Sequence, residues 1–215
     1  MSIKKLAQAL VVTAGIAFSA PSQSTILFSD NFNADSATTV LNFNSLINWD
    51  VSDGTIDYIR SGGFGISCVG GSGGCLDMDG STGDAGRITS KASFNILPGV
   101  GYTLAAEVSG NQRNLTATDD LTFGIRDAAT DALIFAATIS RTGSAPFSAA
   151  SLGFLTGSSY VARLFFEGIG ADNVGVILDN VVFSDNTTGR VPEPGALALL
   201  GLGLAGLASF RRRQR

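Results

Sequence analysis

The sequence predicts an all-β fold, a two-sheet jelly-roll sandwich, with a signal helix at its N-terminus and a transmembrane helix at its C-terminus. Three observations carry the central prediction. Apolar residues alternate with polar ones in short runs such as Tyr102-Thr-Leu-Ala-Ala-Glu-Val108 and Leu121-Thr-Phe-Gly-Ile125, the period of a half-buried strand. Gly, Asn, Asp and Ser break these runs at regular spacing and supply turn geometry. No segment between the two ends sustains a three-four apolar period. Many short strands without helices bury their apolar faces by stacking as two sheets.

At the N-terminus, Lys4 and Lys5 precede an apolar stretch at 6–18, and the small residues Ser19, Ala20, Ser22 and Ser24 follow. That order is the pattern of a secretory signal peptide, here residues 1–22, and it implies export and cutting by signal peptidase. Ala17-Phe18-Ser19 and Ala20-Pro21-Ser22 are both acceptable cleavage contexts, so the mature chain is expected to begin between Ala20 and Thr25. A β-sandwich domain is expected over 25–190. Its strands should fall near 26–29, 46–51, 55–60, 75–79, 86–94, 101–109, 120–127, 132–140, 147–152, 159–167 and 174–184. The apolar run Leu133-Ile-Phe-Ala-Ala-Thr-Ile139 reads as a strand buried on both faces. Asp127-Ala-Ala-Thr-Asp131 and Gly170-Ala-Asp-Asn173 read as hairpin connections. Phe94, Phe123, Phe135, Phe154, Phe165 and Phe183 sit at alternating positions and are expected in the core, each burying ~150–250 Å2.

At the C-terminus, Val191-Pro192-Glu193-Pro194-Gly195 opens a tail, an apolar run at 196–210 follows, and Arg211, Arg212, Arg213 and Arg215 close it. The prolines keep the backbone around Glu193 extended, because each lacks an N–H and disfavours helix in the residue before it. As a helix, residues 195–210 would span roughly 24 Å against a hydrocarbon core of ~30 Å, short but tolerable with local thinning. The arginines act as a stop-transfer signal that leaves everything before Pro192 outside the cytoplasm. This tripartite segment, 191–215, resembles the PEP-CTERM sorting signal of Gram-negative, exopolysaccharide-producing bacteria. The resemblance implies an integral-membrane exosortase as partner, cleavage near Pro192-Glu193-Pro194, and transfer to the cell surface. The alternative is a permanent single-pass anchor in the inner membrane.

Composition narrows the function. Residues 25–190 hold eight basic and seventeen acidic residues, a net charge of −9. Such a surface repels phosphates, so nucleic acid is not expected as a partner. Histidine is absent, which removes Ser-His-Asp and Cys-His nucleophiles and His-ligated zinc. Cys68 and Cys75 bracket the six-residue segment Val-Gly-Gly-Ser-Gly-Gly, and in an exported protein such a pair is expected to form a structural disulfide.

Trp49-Asp-Val-Ser-Asp-Gly-Thr-Ile-Asp-Tyr-Ile59, Leu76-Asp-Met-Asp-Gly-Ser81, Gly86-Arg-Ile88, Leu97-Pro-Gly-Val-Gly-Tyr-Thr-Leu104, Val108-Ser-Gly-Asn111, Asp172-Asn-Val-Gly175 and Leu178-Asp-Asn-Val181 occur in that order. Together they resemble the DUF642 or choice-of-anchor C type of extracellular domain over roughly 28–184. The resemblance implies a galactose-binding-like jelly roll associated with extracellular polysaccharide, and no enzymatic activity.

Several residues are candidates for sites. Asp77, Asp79 and Asp84, with Asp30 and Asp179 from the first and last strands, could hold a structural calcium ion; the alternative is a solvated acidic turn. An EF-hand is excluded, because taking Gly80 as the turn glycine puts Cys75 first and Gly86 twelfth, where acids belong. Trp49 and Tyr58 could offer aromatic faces to a sugar, with Asn111 and Arg113 on a polar rim; the alternatives are a core tryptophan and a plain turn. Glu107 and Glu167, the two glutamates of 25–190, could form the carboxylate pair of a glycosidase only across a cleft, which a small sandwich rarely offers. The expected function is non-catalytic association with exopolysaccharide or biofilm matrix. The alternative is a structural protein that packs against its own copies without a sugar ligand.

Overall fold

The computed structural model describes residues 24–186. The expected signal segment 1–22 and the sorting tail 191–215 lie outside the described residues. Among those described, no helix is long and apolar enough to cross a membrane.

Twelve strands follow one another in the described residues: β1 (Thr25–Asp30), β2 (Trp49–Ser52), β3 (Asp57–Arg60), β4 (Gly74–Asp77), β5 (Arg87–Ser90), β6 (Phe94–Ile96), β7 (Gly101–Ser109), β8 (Thr118–Asp127), β9 (Leu133–Thr142), β10 (Ser148–Leu155), β11 (Tyr160–Ile169) and β12 (Ile177–Asp185). They form two antiparallel sheets. The first runs β10-β7-β12-β4-β3, with β1 also on β12; the second runs β2-β5-β11-β8-β9, with β6 also on β11. Between the sheets, alternation holds as expected: Tyr102, Leu104, Ala106 and Val108 of β7 face Leu121, Phe123 and Ile125 of β8 across one core. The free edge of β3 is covered by the preceding segment, where Val40 and Tyr58 exchange N–H···O bonds of 2.8 and 2.9 Å.

The structure corrects three expectations. The strand foreseen at 86–94 is two strands, because Ser90 turns its hydroxyl onto the Ala92 carbonyl (2.7 Å) and that hydroxyl, in place of a ladder carbonyl, accepts the Leu164 N–H of β11 (2.9 Å). β9 is an edge strand, and one of its faces is open to water, where Leu133, Ala136, Thr138 and Ser140 are exposed. Residues 170–173 do not close a hairpin: β11 and β12 lie in different sheets, so the loop crosses between layers. Asp127–Asp131 is a hairpin, with the Asp127 carboxylate accepting from the Ala129 and Thr130 N–H groups. Phe165 is buried as expected, on the outward side of β11, where the Arg126 guanidinium lies 5.3 Å from its ring centre.

A second small core lies on the outer face of the first sheet. Ile59, Cys75 and Ile177 point outward there and are covered by Ile66 and Cys68 from the loop between β3 and β4, with Phe147 packed alongside. Cys68 and Cys75 form the expected disulfide. Gln112 clamps the same loop, accepting from the Ser67 N–H (2.9 Å) and donating to the Ser67 carbonyl (3.0 Å). Replacing Cys68 and Cys75 together by alanine is expected to cost roughly 2–3 kcal/mol, the chain entropy returned to so small a ring. Urea denaturation of the variant against the parent measures it, and an unchanged midpoint would show that the loop is held by its packing alone.

Candidate functional site

The loop covers only the β3–β4 side of this outer face. The remainder forms an open groove of about 600 Å3 lined by Ser29, Asp30, Asn31, Ala105, Ala106, Glu107, Ala149, Asn180, Val181 and Val182. Strand alternation builds it. Ala105 and Glu107 turn outward because Leu104, Ala106 and Val108 face the core. The register places Ala149 of β10 on one side of Glu107 and Asp179 of β12 on the other. A bulge in β12 lets Leu178 and Val181 both enter the core with two residues between them. Asn180 absorbs the bend at φ 47, a conformation asparagine tolerates better than most residues. The floor is therefore made of small and aliphatic side chains, and the walls carry carboxylates and amides.

Two of the nearby acids are committed to the fold. Asp30 accepts from the Trp49 indole N–H (2.8 Å), the Asn48 amide (3.1 Å) and the Phe32 N–H (2.9 Å). Asp179 accepts from the Val69 N–H of the disulfide loop (3.0 Å) and from the Asn180 N–H (2.7 Å). Burial raises the Asp179 carboxyl to about 6 against these two bonds, with the Asp30 and Glu107 charges adding to the rise. Glu107 stands directly across from Asp179, a like-charge pair that costs stability in a sheet. A groove of this make-up offers acceptors and donors to hydroxyl groups and is uninviting to anions.

The acids expected to bind calcium are dispersed. Asp77 ends β4, fully buried, and accepts from the Asp79 N–H (3.2 Å) and the Gly175 N–H (2.9 Å) while pairing with the Arg113 guanidinium. Asp79 lies beyond the strand end, so the two do not share a strand face as the sequence implied. It accepts from the Asp172 N–H (3.2 Å), and its Oδ1 has no hydrogen-bond partner. Asp84 is exposed on the next loop, while Asp30 and Asp179 border the groove. Among the described residues, no three His, Cys, Asp or Glu side chains gather as a metal site. Asp77 meets the Arg113 guanidinium where the calcium reading placed a metal ion.

Trp49 and Tyr58 take the core alternative. Both have 0% exposure and cannot present a ring to a ligand. The Tyr58 hydroxyl donates within the fold, 3.0 Å from the Phe32 and Ser36 carbonyls, and Gly74 makes room, since a Cβ there would lie 2.0 Å from that oxygen. Asn111 is buried and organises its own loop, accepting from the Arg113 and Asn114 N–H groups (2.8 and 2.7 Å) and donating to Asp119 (2.7 Å). Arg113 is partly exposed but spends its guanidinium on Asp77 and the Asn173 carbonyl. Glu107 and Glu167 project outward from opposite sheets, so they do not share a cleft. The groove residues went unforeseen because they are a by-product of register. The Asp-Asn break inside the apolar run 174–183 was the one local sign of the bulge that forms its wall.

Comparison with known proteins separates tail from domain. Residues 190–213 match the PEP-CTERM protein-sorting motif. No curated protein matches the chain. Among solved structures, the domain is similar to the N-terminal CBM22-1-CBM22-2 tandem domain of Paenibacillus barcinonensis Xyn10C, with TM-score 0.52 and 16% identity over 82% of this chain and 49% of that one. It is also similar to the CBM22-1 xylan-binding domain of the same Xyn10C (TM-score 0.43, 11% identity, 77% and 97% covered). A third likeness is the K3 cleaved adhesin domain of Lys-gingipain from Porphyromonas gingivalis w83 (TM-score 0.49, 17% identity, 75% and 99% covered). At these identities the likeness is one of fold.

Proposed function

We propose that this is an exported, surface-sorted, non-catalytic protein that associates with extracellular polysaccharide through the groove on the outer face of the first sheet. The observation that carries this reading is the groove itself, where Glu107, Asn31 and Asn180 stand over a floor of Ala105, Ala149 and Val182. A carboxylate and two amides can bond vicinal hydroxyls while the small floor residues let a sugar ring approach. The carboxylates of Asp30, Glu107 and Asp179 favour neutral chains over uronate-rich ones by charge. The sorting motif supports delivery to the cell surface by an exosortase after export, and the galactose-binding-like fold supports the polysaccharide class of ligand. Kinship with DUF642 or choice-of-anchor C domains belongs to the same proposal.

The test is affinity electrophoresis of the folded domain in gels containing xylan, laminarin, alginate or exopolysaccharide extracted from the producing strain. Glu107→Gln is expected to weaken retardation by about tenfold in affinity, the loss of one charge-assisted bond. It should also raise the melting temperature slightly, because it relieves the like-charge contact with Asp179. Ala149→Trp should fill the groove and abolish binding. If the parent migrates unretarded in all four gels, the polysaccharide reading falls and self-association remains.

A further inference from the structure

We propose that Phe64 is an aromatic contact for the same polysaccharide, held out by the disulfide loop on the groove's side of the sandwich. The inference rests on the polysaccharide reading of the groove. Among the described residues Phe64 carries the one exposed aromatic ring, at 57% exposure. Every other described aromatic is buried or partly covered.

Its backbone makes that exposure informative. Phe64 sits at φ 51 and ψ 21, the left-handed region that bulky side chains avoid. Gly62 (φ 96) and Gly65 (φ 79) on either side supply the freedom for the turn, and the Ile66 N–H closes it on the Gly63 carbonyl at 2.9 Å. Glycine at 64 would remove the strain, and a polar residue would remove the exposed ring. Strain of this kind is concentrated at functional positions; Phe32 shares the conformation (φ 55) but is fully enclosed, so Phe64 is the described residue that joins it to an exposed ring.

The mount beneath is rigid. Ile66 and Cys68 are buried against Ile59, Cys75 and Ile177 of the first sheet, on the face that continues into the groove. The same loop reaches the groove's border through the Val69 N–H bond to Asp179. Polar groups line the groove, but no aromatic does, and Trp49 and Tyr58 are enclosed. A phenyl face carries partial negative charge and attracts the polarised C–H groups on one face of a pyranose. Phe64 supplies that surface from the loop whose Val69 N–H reaches Asp179 at the groove's border.

The experiment compares Phe64→Ala, Phe64→Gly and Phe64→Trp in the four gels named above, with melting temperatures and analytical ultracentrifugation on the same samples. Alanine and glycine are expected to lower affinity about 3- to 10-fold while tryptophan restores it. The glycine variant should melt no lower than the parent, because its backbone fits the turn. Parent-like binding in the alanine and glycine variants, with Glu107→Gln still impaired, would overturn this inference and leave the groove reading intact. A sugar-free dimer of the parent that dissociates in Phe64→Ala would overturn it in favour of a second copy as the partner. No binding by the parent defeats both readings together.

Discussion

Trp49→Ala is expected to cost about 4 kcal/mol, a large share of the total stability of a domain this size. The indole is fully enclosed and packs edge-on against Phe28 and Phe166, with ring centres 5.4 and 5.8 Å away, and against Phe32 at 6.3 Å. Truncation opens a cavity between β1, β2 and β11 and removes one of the three donors that hold the Asp30 carboxylate. Both losses act on the junction of β1 with the sandwich. A fall in melting temperature of roughly 10–15 °C corresponds to this cost. Trp49→Phe separates the two effects: it keeps most of the packing and loses the N–H bond, for about 1–2 kcal/mol. The phenylalanine variant should still bind polysaccharide as the parent does. Loss of binding in a folded Trp49→Phe protein would mean that the indole reaches the ligand, against its burial.

Alternation was enough to place most of the strands and the two-sheet, all-β class of fold, because one face of most strands is buried and the period of two is forced by that burial. β7 and β11 lie within two residues of their expected bounds for this reason. What alternation cannot reveal is which strand stands at an edge. The apolar run of β9 looks like a doubly buried strand until the sheet order leaves it without an outer neighbour. Trp49 and Tyr58 were legible as either core or platform, and the decision between those came from the long-range partners Asp30, Phe32 and Ser36. The groove could not be read locally, since Glu107, Ala149 and Asn180 meet only through register across three strands and one bulge. Arg113 pairs within the fold rather than standing free on a rim. Its partner Asp77 is 36 residues away, and a separation of that kind carries no pattern in the sequence.

That pair sets the strongest expected dependence on pH. Burial raises the Asp77 carboxyl from 3.8 to about 7, even though Arg113 and the N–H groups of Gly175 and Asp79 pull it down and Asp57 pushes it up. Burial likewise raises Asp79 and Asp119, and Asp179 to about 6. A carboxyl with a raised folded value keeps its proton where the unfolded chain has released it. Its stabilisation is therefore complete below about pH 4 and is lost as pH climbs through the folded value. For Asp77 the full loss between pH 4 and pH 7 amounts to roughly 4 kcal/mol. The domain should be more stable at pH 4.5 than at pH 7.5, the reverse of a protein whose carboxylates are held by favourable pairs. Asp77→Asn should flatten most of the fall across that window. Arg113→Ala should deepen it, because the buried carboxylate then has no counter-charge once it ionises. Urea midpoints at pH 4.5, 6, 7.5 and 8.5 for the three proteins test the set, and a parent that gains stability toward pH 7.5 would sink it. Hydrogen exchange locates the effect: the Gly175 amide, bonded to Asp77, should lose protection as pH rises to a greater degree than amides in β7 once the intrinsic pH dependence of exchange is removed. The loops after β4, β7 and β11 share this network through Asp79, Arg113 and Asp172, so they should loosen together while the groove, built on strand register, keeps its shape.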